Sequence, residues 1–119
     1  MTISTTTLKN AAFAIECDLW TDSDGANYLA KDGAILRRWE PADSSADAFE
    51  LAVKLHLDIN FYWDGCNDQY DEVRVSTHGS RDDSTEQIGW FAGEQIDEMA
   101  ATRWAILQSA AKIGAKLCQ

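Results

Sequence analysis

The sequence is poor in proline, glycine and cysteine. Its 119 residues include one proline, seven glycines and three cysteines. Cys17, Cys66 and Cys118 are odd in number and widely spaced, so neither a disulfide framework nor a zinc knuckle is predicted. No apolar run approaches the roughly 18 to 20 residues of a membrane helix, and no membrane association is expected. The N-terminal residues also lack the pattern of a signal peptide, which makes the cytoplasm the expected location.

Basic residues are scarce as well. Ten lysines and arginines stand against twenty acids, which is a formal net charge of −10. Between Asp58 and Glu98 eleven acids meet only Arg74 and Arg81, so this segment carries 2 − 11 = −9. Such an excess of negative charge disfavours direct binding to nucleic-acid phosphates and favours a basic partner.

The clearest helix pattern begins just after Pro41. Proline biases the residue before it away from helix, and three good N-cap residues follow at positions 43–45, so we predict a helix over residues 46–55. Its predicted apolar face consists of Ala48, Leu51, Ala52 and Leu55. Phe49 and Val53 widen this face so far that another layer, most plausibly a sheet, is expected to cover it.

A strand pattern follows the helix after a single residue, His56. Apolar and polar residues alternate over positions 57–63, as in a strand with one buried face. The predicted buried positions are Leu57, Ile59, Phe61 and Trp63. A second alternating run at 72–77 is predicted to return antiparallel to the first.

The remaining segments carry weaker patterns. A helix over 7–16 with Thr7 as its cap, strands at 17–21, 26–30 and 34–39, and turns at 22–25 and 32–33 are predicted. Residues 78–87 are polar and predicted to be a loop, and 88–92 to be an edge strand or an apolar patch. Asp97 is expected to cap a last helix from Glu98 to Lys116. Its predicted buried face consists of Ala100, Trp104, Leu107 and Ala111.

This order of elements predicts an α+β fold. Helices with wide apolar faces and strands with one apolar face favour a single domain over residues 1–119. The expected architecture is an α-β-α sandwich with a small, mostly antiparallel sheet packed by helices.

Catalytic and metal-binding patterns are weak. His56 lies at a helix–strand junction, where a partly buried structural role is the expectation, and His78 lies in a polar loop. The segment 22–27 has oxygen ligands at alternate positions but lacks the later glycine and glutamate of a calcium loop, so ordinary turn chemistry is preferred. No enzymatic activity, cofactor or metal is therefore predicted.

The acidic segment is the sequence feature that most directly suggests a function. Its simplest interpretation is a solvated surface, but aromatic residues lie among the acids, and tryptophan and tyrosine are common interface anchors. Carboxylates spaced over a surface can also imitate a phosphate backbone. The residues predicted to bind a partner are Asp64, Asp68, Tyr70, Asp71, Glu72, Asp82, Asp83, Glu86, Trp90 and Phe91.

Two segments resemble a known family. Residues 39–55, from Trp39-Glu40-Pro41 to Val53-Lys54-Leu55, resemble the "WxPxxDxxDALxLAVKL" stretch of small phage and prophage proteins of the ABA-sandwich type. Residues 100–111, beginning Ala-Ala-Thr-Arg, are similar to the closing "AATRRAIxxAA" helix of those proteins. The resemblance implies an α-β-α sandwich and a phage accessory gene, and it supplies no catalytic residue.

Charge and resemblance together lead to a functional hypothesis. We predict a non-enzymatic phage protein that binds and inhibits a host defence complex, such as an anti-CRISPR protein acting as a nucleic-acid mimic on a Cas effector. The expected partner is the basic surface of a host protein or protein–nucleic-acid complex. One alternative is a structural or regulatory phage module that self-associates, as a homodimer, through Trp90 and Phe91. Another is a small enzyme with an unrecognised acidic site.

Overall fold

A computed structural model describes residues 3–62, 72–77, 83–87, 89–91 and 94–117, and between residues 83 and 96 it describes the backbone alone. The helices are α1 (Thr5–Ala14), α2 (Ser45–Lys54) and α3 (Glu98–Leu117). The strands are β1 (Asp18–Thr21), β2 (Asn27–Lys31), β3 (Ala34–Arg38), β4 (Leu57–Tyr62), β5 (Glu72–Thr77), β6 (Asp83–Gln87), β7 (Gly89–Phe91) and β8 (Glu94–Ile96).

The strands form three small antiparallel sheets. β1, β2 and β3 pair in that order, β4, β5 and β6 form a second three-stranded sheet, and β7 pairs with β8. The prediction of an α+β fold with helices and small antiparallel sheets is thus confirmed. The described strands are distributed over three sheets, and the second of these packs against α3.

Local signals placed most elements correctly. Asp32 and Gly33 both have positive φ, 53° and 81°, which is the geometry expected of a two-residue hairpin turn between β2 and β3. The predicted antiparallel pairing of β4 with β5 is confirmed, with Leu57 opposite Thr77. Asp97 caps α3, because its Oδ1 accepts a hydrogen bond from the Ala100 amide at 2.7 Å.

Two local predictions were wrong. The cap of α1 is Ser4, whose Oγ accepts a hydrogen bond from the amide of Thr7, so the helix begins two residues earlier than predicted. Residues 83–87 are strand β6 and not loop, because their backbone pairs with β5 along its length. Backbone pairing with a neighbouring strand decided this segment, and its polar composition did not.

Helix α3 is the centre of the core. It packs on α1, on α2 and on strands β5 and β6. The side-chain hydroxyl of Ser109 donates to the carbonyl of Val75 at 2.8 Å and so ties α3 to the sheet. Because α3 is covered on more than one side, its buried face is broader than predicted: Leu107 and Ala111 are buried as expected, while Trp104 is only half-buried. Further buried residues of α3 are Ala101, Ala105, Ile106 and Ala110.

Helix α1 approaches α3 closely at Gly114. A Cβ atom built on Gly114 would lie 1.7 Å from the carbonyl oxygen of Asn10, a distance at which two atoms overlap. The two helices therefore meet backbone to backbone at this point. Glycine within a helix ordinarily lowers its stability, whereas here the lack of a side chain at Gly114 permits this contact.

Candidate interaction surface

An apolar groove lies between α2, β4 and α3. It has a volume of about 370 Å³, and the described residues that line it are Ser45, Ala46, Ala48, Phe49, Ile59, Met99, Thr102, Arg103 and Ile106. The surface that these residues present to the groove is almost wholly apolar. Such a groove can hold apolar side chains or an apolar molecule, but it offers few polar groups for chemistry.

Large apolar side chains are exposed around the groove. Phe49 is 65% exposed and Met99 is 58% exposed, although both line it. Val53, one turn after Phe49 on α2, is 54% exposed, and Phe61, two positions after Ile59 on β4, is 42% exposed. We call Phe49, Val53, Phe61 and Met99 the apolar rim.

The apolar rim corrects the predicted core. Phe49 and Val53 were expected to widen the buried face of α2, and Phe61 to lie on the buried face of β4. Helix α2 instead buries the narrower face of Ala48, Leu51 and Ala52. Phe49 and Val53 lie outside that face and are exposed.

Arg103 holds one end of the groove together. Its Nε donates to the carbonyl of Ala42 at 2.9 Å and its Nη1 contacts Ser45 Oγ at 3.2 Å, so the start of α2 is tied to α3. These contacts join residues about sixty positions apart in the sequence, so no local sequence pattern predicts them. Arg103 is therefore a positioning residue that sequence reasoning missed.

A second arginine fixes the opposite side of α2. Arg37 on β3 donates to Asp47 at 2.7 Å and to Glu50. Burial lowers the pKa of the Arg37 guanidinium, but the hydrogen bond and charge of Asp47 and the charge of Glu50 outweigh it, so the pKa is raised. Because the pKa is raised, the ion pairs of Arg37 stabilise the folded protein at physiological pH, where Arg37 is charged. This stabilisation is lost only when the pH rises through the pKa that Arg37 has in the folded protein.

Half of the predicted partner-binding residues fall outside the described part of the chain. These are Asp64, Asp68, Tyr70, Asp71 and Asp82. Trp90 and Phe91 lie on β7, opposite Gln95 and Glu94 of β8. Whether these residues share one surface stays a prediction.

The remaining three predicted residues lie on the sheet of β4, β5 and β6. Glu72 is half-buried and paired with Arg74 at 3.0 Å, so its charge is partly neutralised within the chain. Asp83 stands opposite Ser76, and Glu86 stands opposite Val73. Because successive strand positions alternate in face, positions 83 and 86 belong to opposite faces of the sheet.

The other candidate sites, which include the segment 22–27, His56 and Cys17, show no arrangement for catalysis or metal binding among the described residues. Asp22 Oδ1 accepts hydrogen bonds from the amides of Asp24 and Ala26, which is ordinary turn chemistry. His56 is exposed, so the expected partial burial was wrong, and its positive φ of 53° ends α2 before β4. Cys17 is a free, buried thiol. No group of three potential metal ligands occurs among the described residues.

Within the described ranges, no helix has the length and hydropathy needed to cross a bilayer.

Comparisons with known proteins identify no relative of this chain. No family model matches this chain, and neither a curated protein nor a solved structure matches it. The resemblance of residues 39–55 and 100–111 to phage proteins therefore stays a prediction.

Proposed function

We propose that this protein acts by binding another protein, with the apolar groove and the apolar rim as its contact surface. The observation that carries the proposal is the exposure of Phe49 and Met99 beside a groove whose lining is apolar. Clustered exposed apolar side chains are costly in water and mark interaction sites in soluble proteins. Aromatic side chains next to a cavity are typical anchors of such interfaces.

Charge indicates the kind of partner. The chain has twice as many acids as bases, and Asp97 and Glu98 are exposed directly before Met99. A basic protein surface with apolar side chains at its centre complements this arrangement. Its association would be accelerated by electrostatic attraction and weakened by salt.

Inhibition of a host defence complex is the specific form of the proposal. It is supported by the net charge of −10 and by the resemblance of two segments to phage proteins. A basic nucleic-acid-binding groove, such as that of a Cas effector, is the target that a negatively charged inhibitor would block.

Quantitative capture from the natural host tests the proposal. The tagged protein, Phe49→Ala and Met99→Ala are compared by mass spectrometry of the bound proteins. Phe13→Ala is the matched control, because Phe13 is also exposed on a helix but does not line the groove. We expect one basic protein whose capture falls about tenfold with either groove variant and in about 0.5 M salt, and not with the control.

Two outcomes would count against this function. One is a partner lost equally from Phe49→Ala and Phe13→Ala, since the groove would then have no special role. The other is a partner retained at high salt, which would remove the argument from charge.

A further inference from the structure

Two walls of the apolar groove are helices. On α3 the described lining residues follow the spacing i, i+3, i+4 and i+7, which places them on one face of the helix: Met99, Thr102, Arg103 and Ile106. At a rise of about 1.5 Å per residue, this wall is about 10 Å long. On α2 the lining begins at Ser45 and ends at Phe49, one turn later. The groove therefore runs between two helix surfaces.

The groove has room for side chains. Ala48 and Ile106 are buried where they line it, while Phe49 and Met99 are exposed at its margin. A cavity of roughly 150 Å³ holds one benzene molecule, so about 370 Å³ accommodates about two side chains the size of leucine or phenylalanine. Side chains at i and i+4 of a bound helix lie about 6 Å apart along its axis, which fits the length of the α3 wall.

The apolar lining favours a helix over an extended segment as the bound element. An extended peptide must find hydrogen-bond partners for its own N–H and C=O groups, and the described lining offers almost no polar surface for them. A helix satisfies these groups internally, so that only its side chains need to fit the groove. Grooves of this kind bind the apolar face of an amphipathic helix, whose anchors recur at helical spacing.

Charge determines the polar face that such a helix needs. Asp97 and Glu98 are exposed at the start of α3, directly beside the groove. Arg103 is held against the start of α2 by its hydrogen bonds. The chain as a whole carries a net charge of −10, which repels an acidic helix and attracts a basic one.

We propose that the groove binds one amphipathic helix of the partner protein. Two large apolar side chains, one turn apart, insert between α2 and α3, and lysine or arginine beside them meets Asp97 and Glu98. Helix binding rests on the proposed function, because it uses the same groove. It adds a class of ligand that an isolated peptide can represent without the host partner.

Fluorescence anisotropy with labelled synthetic peptides tests helix binding. The probe is a peptide of alanine, lysine and leucine with blocked ends and about 18 residues, long enough to form a helix in water. Its leucines follow the spacing i, i+3, i+4 and i+7, and we expect a dissociation constant below about 100 μM. One control has the same composition in scrambled order, and another has a central proline that breaks the helix. Each control is expected to bind at least about tenfold more weakly.

Matched variants of the protein separate the groove from general charge. Ala46 is exposed and lines the groove, so Ala46→Phe is expected to fill it without a change of net charge and to weaken binding of the probe about tenfold. Glu98→Gln and Glu16→Gln remove the same charge, but Glu16 is exposed just after α1, outside the described lining. At low salt we expect Glu98→Gln to weaken binding about threefold and Glu16→Gln to leave it unchanged.

The outcomes separate helix binding from the proposed function. A host partner that depends on the groove, together with no binding of the probe, would overturn helix binding and leave the proposed function standing. Probe binding without any host partner would support helix binding and contradict the proposed function. Equal binding of the proline or scrambled control, or binding unaffected by Ala46→Phe, would overturn helix binding. A mass of two chains that falls to one with Ala46→Phe in light scattering would overturn it too, because a second copy would then occupy the groove.

Discussion

Some residues in this protein make structural contacts that their residue type does not predict. Gly114 is the clearest case, because glycine inside a helix usually means lost stability. Here it permits α1 and α3 to touch through their backbones at Asn10. Arg103 is a second case. An arginine on a helix is usually expected to be solvated, but Arg103 connects the start of α2 to α3 through hydrogen bonds.

Gly114→Ala tests the helix contact through the sign of its effect. Intrinsic helix propensity alone predicts a gain of about 1 kcal/mol in the free energy of unfolding. The added Cβ must displace the backbone of Asn10, and overpacking of this kind costs typically about 1–3 kcal/mol, so we expect net destabilisation. Urea unfolding followed by circular dichroism measures the difference. A stabilised variant would mean that the helices separate here without cost.

At the scale of elements, the cap of α3 and the hairpin turn were predicted correctly, whereas the cap of α1 and the burial of Phe49, Val53 and Phe61 were not. Asp97 and the Asp32–Gly33 turn were identified because each acts on residues within four positions of itself. Strand β6 was missed because its polar residues satisfy no apolar alternation, while its backbone pairs with β5 regardless. A strand at the edge of a sheet depends on its neighbour more than on its own composition.

The orientation of α2 gives a prediction that contrasts two of its residues. Leu51 is fully buried and Phe49 is 65% exposed, although both are large and apolar. We expect Leu51→Ala to lower the free energy of unfolding by about 2–5 kcal/mol. Phe49→Ala is expected to change it by no more than about 0.5 kcal/mol. Equal losses in chemical denaturation would indicate that α2 is rotated toward the core.

The cap of α3 gives a second prediction for an element. Asp97→Ala removes the acceptor for the Ala100 amide, and we expect a loss of about 1 kcal/mol. Asp97→Asn retains a good capping side chain without the charge, so its stability is expected to stay near that of the parent protein. Thermal unfolding of both variants separates capping from charge. Equal losses would attribute the effect to the charge of Asp97 alone.

For the whole molecule, charge is the dominant physical quantity. Twenty acids against ten bases make the folded chain repel itself at neutral pH. Some of this charge is neutralised internally, as by Arg37 with Asp47 and Glu50 and by Arg74 with Glu72. A uniform acidic face cannot be assumed, since positions 83 and 86 lie on opposite faces of one sheet.

Salt is therefore expected to stabilise the fold at neutral pH. Raising sodium chloride from about 0.02 M to 0.5 M screens the repulsion between like charges, so the urea midpoint should rise at pH 7. The effect should shrink near pH 4.4, where the sequence predicts a net charge close to zero. A midpoint that falls with salt at pH 7 would show that attractive ion pairs dominate.

Sequence alone determined the α+β class, the cap of α3, the hairpin turn and the pairing of β4 with β5. Each depends on residues close together in the chain, or on a period that one strand or helix displays by itself. Tertiary structure decided the exposure of Phe49, Val53 and Phe61, the contact at Gly114 and the pairing of β6. Burial and pairing are properties of what lies alongside a residue, and in a folded chain those neighbours come from distant parts of the sequence.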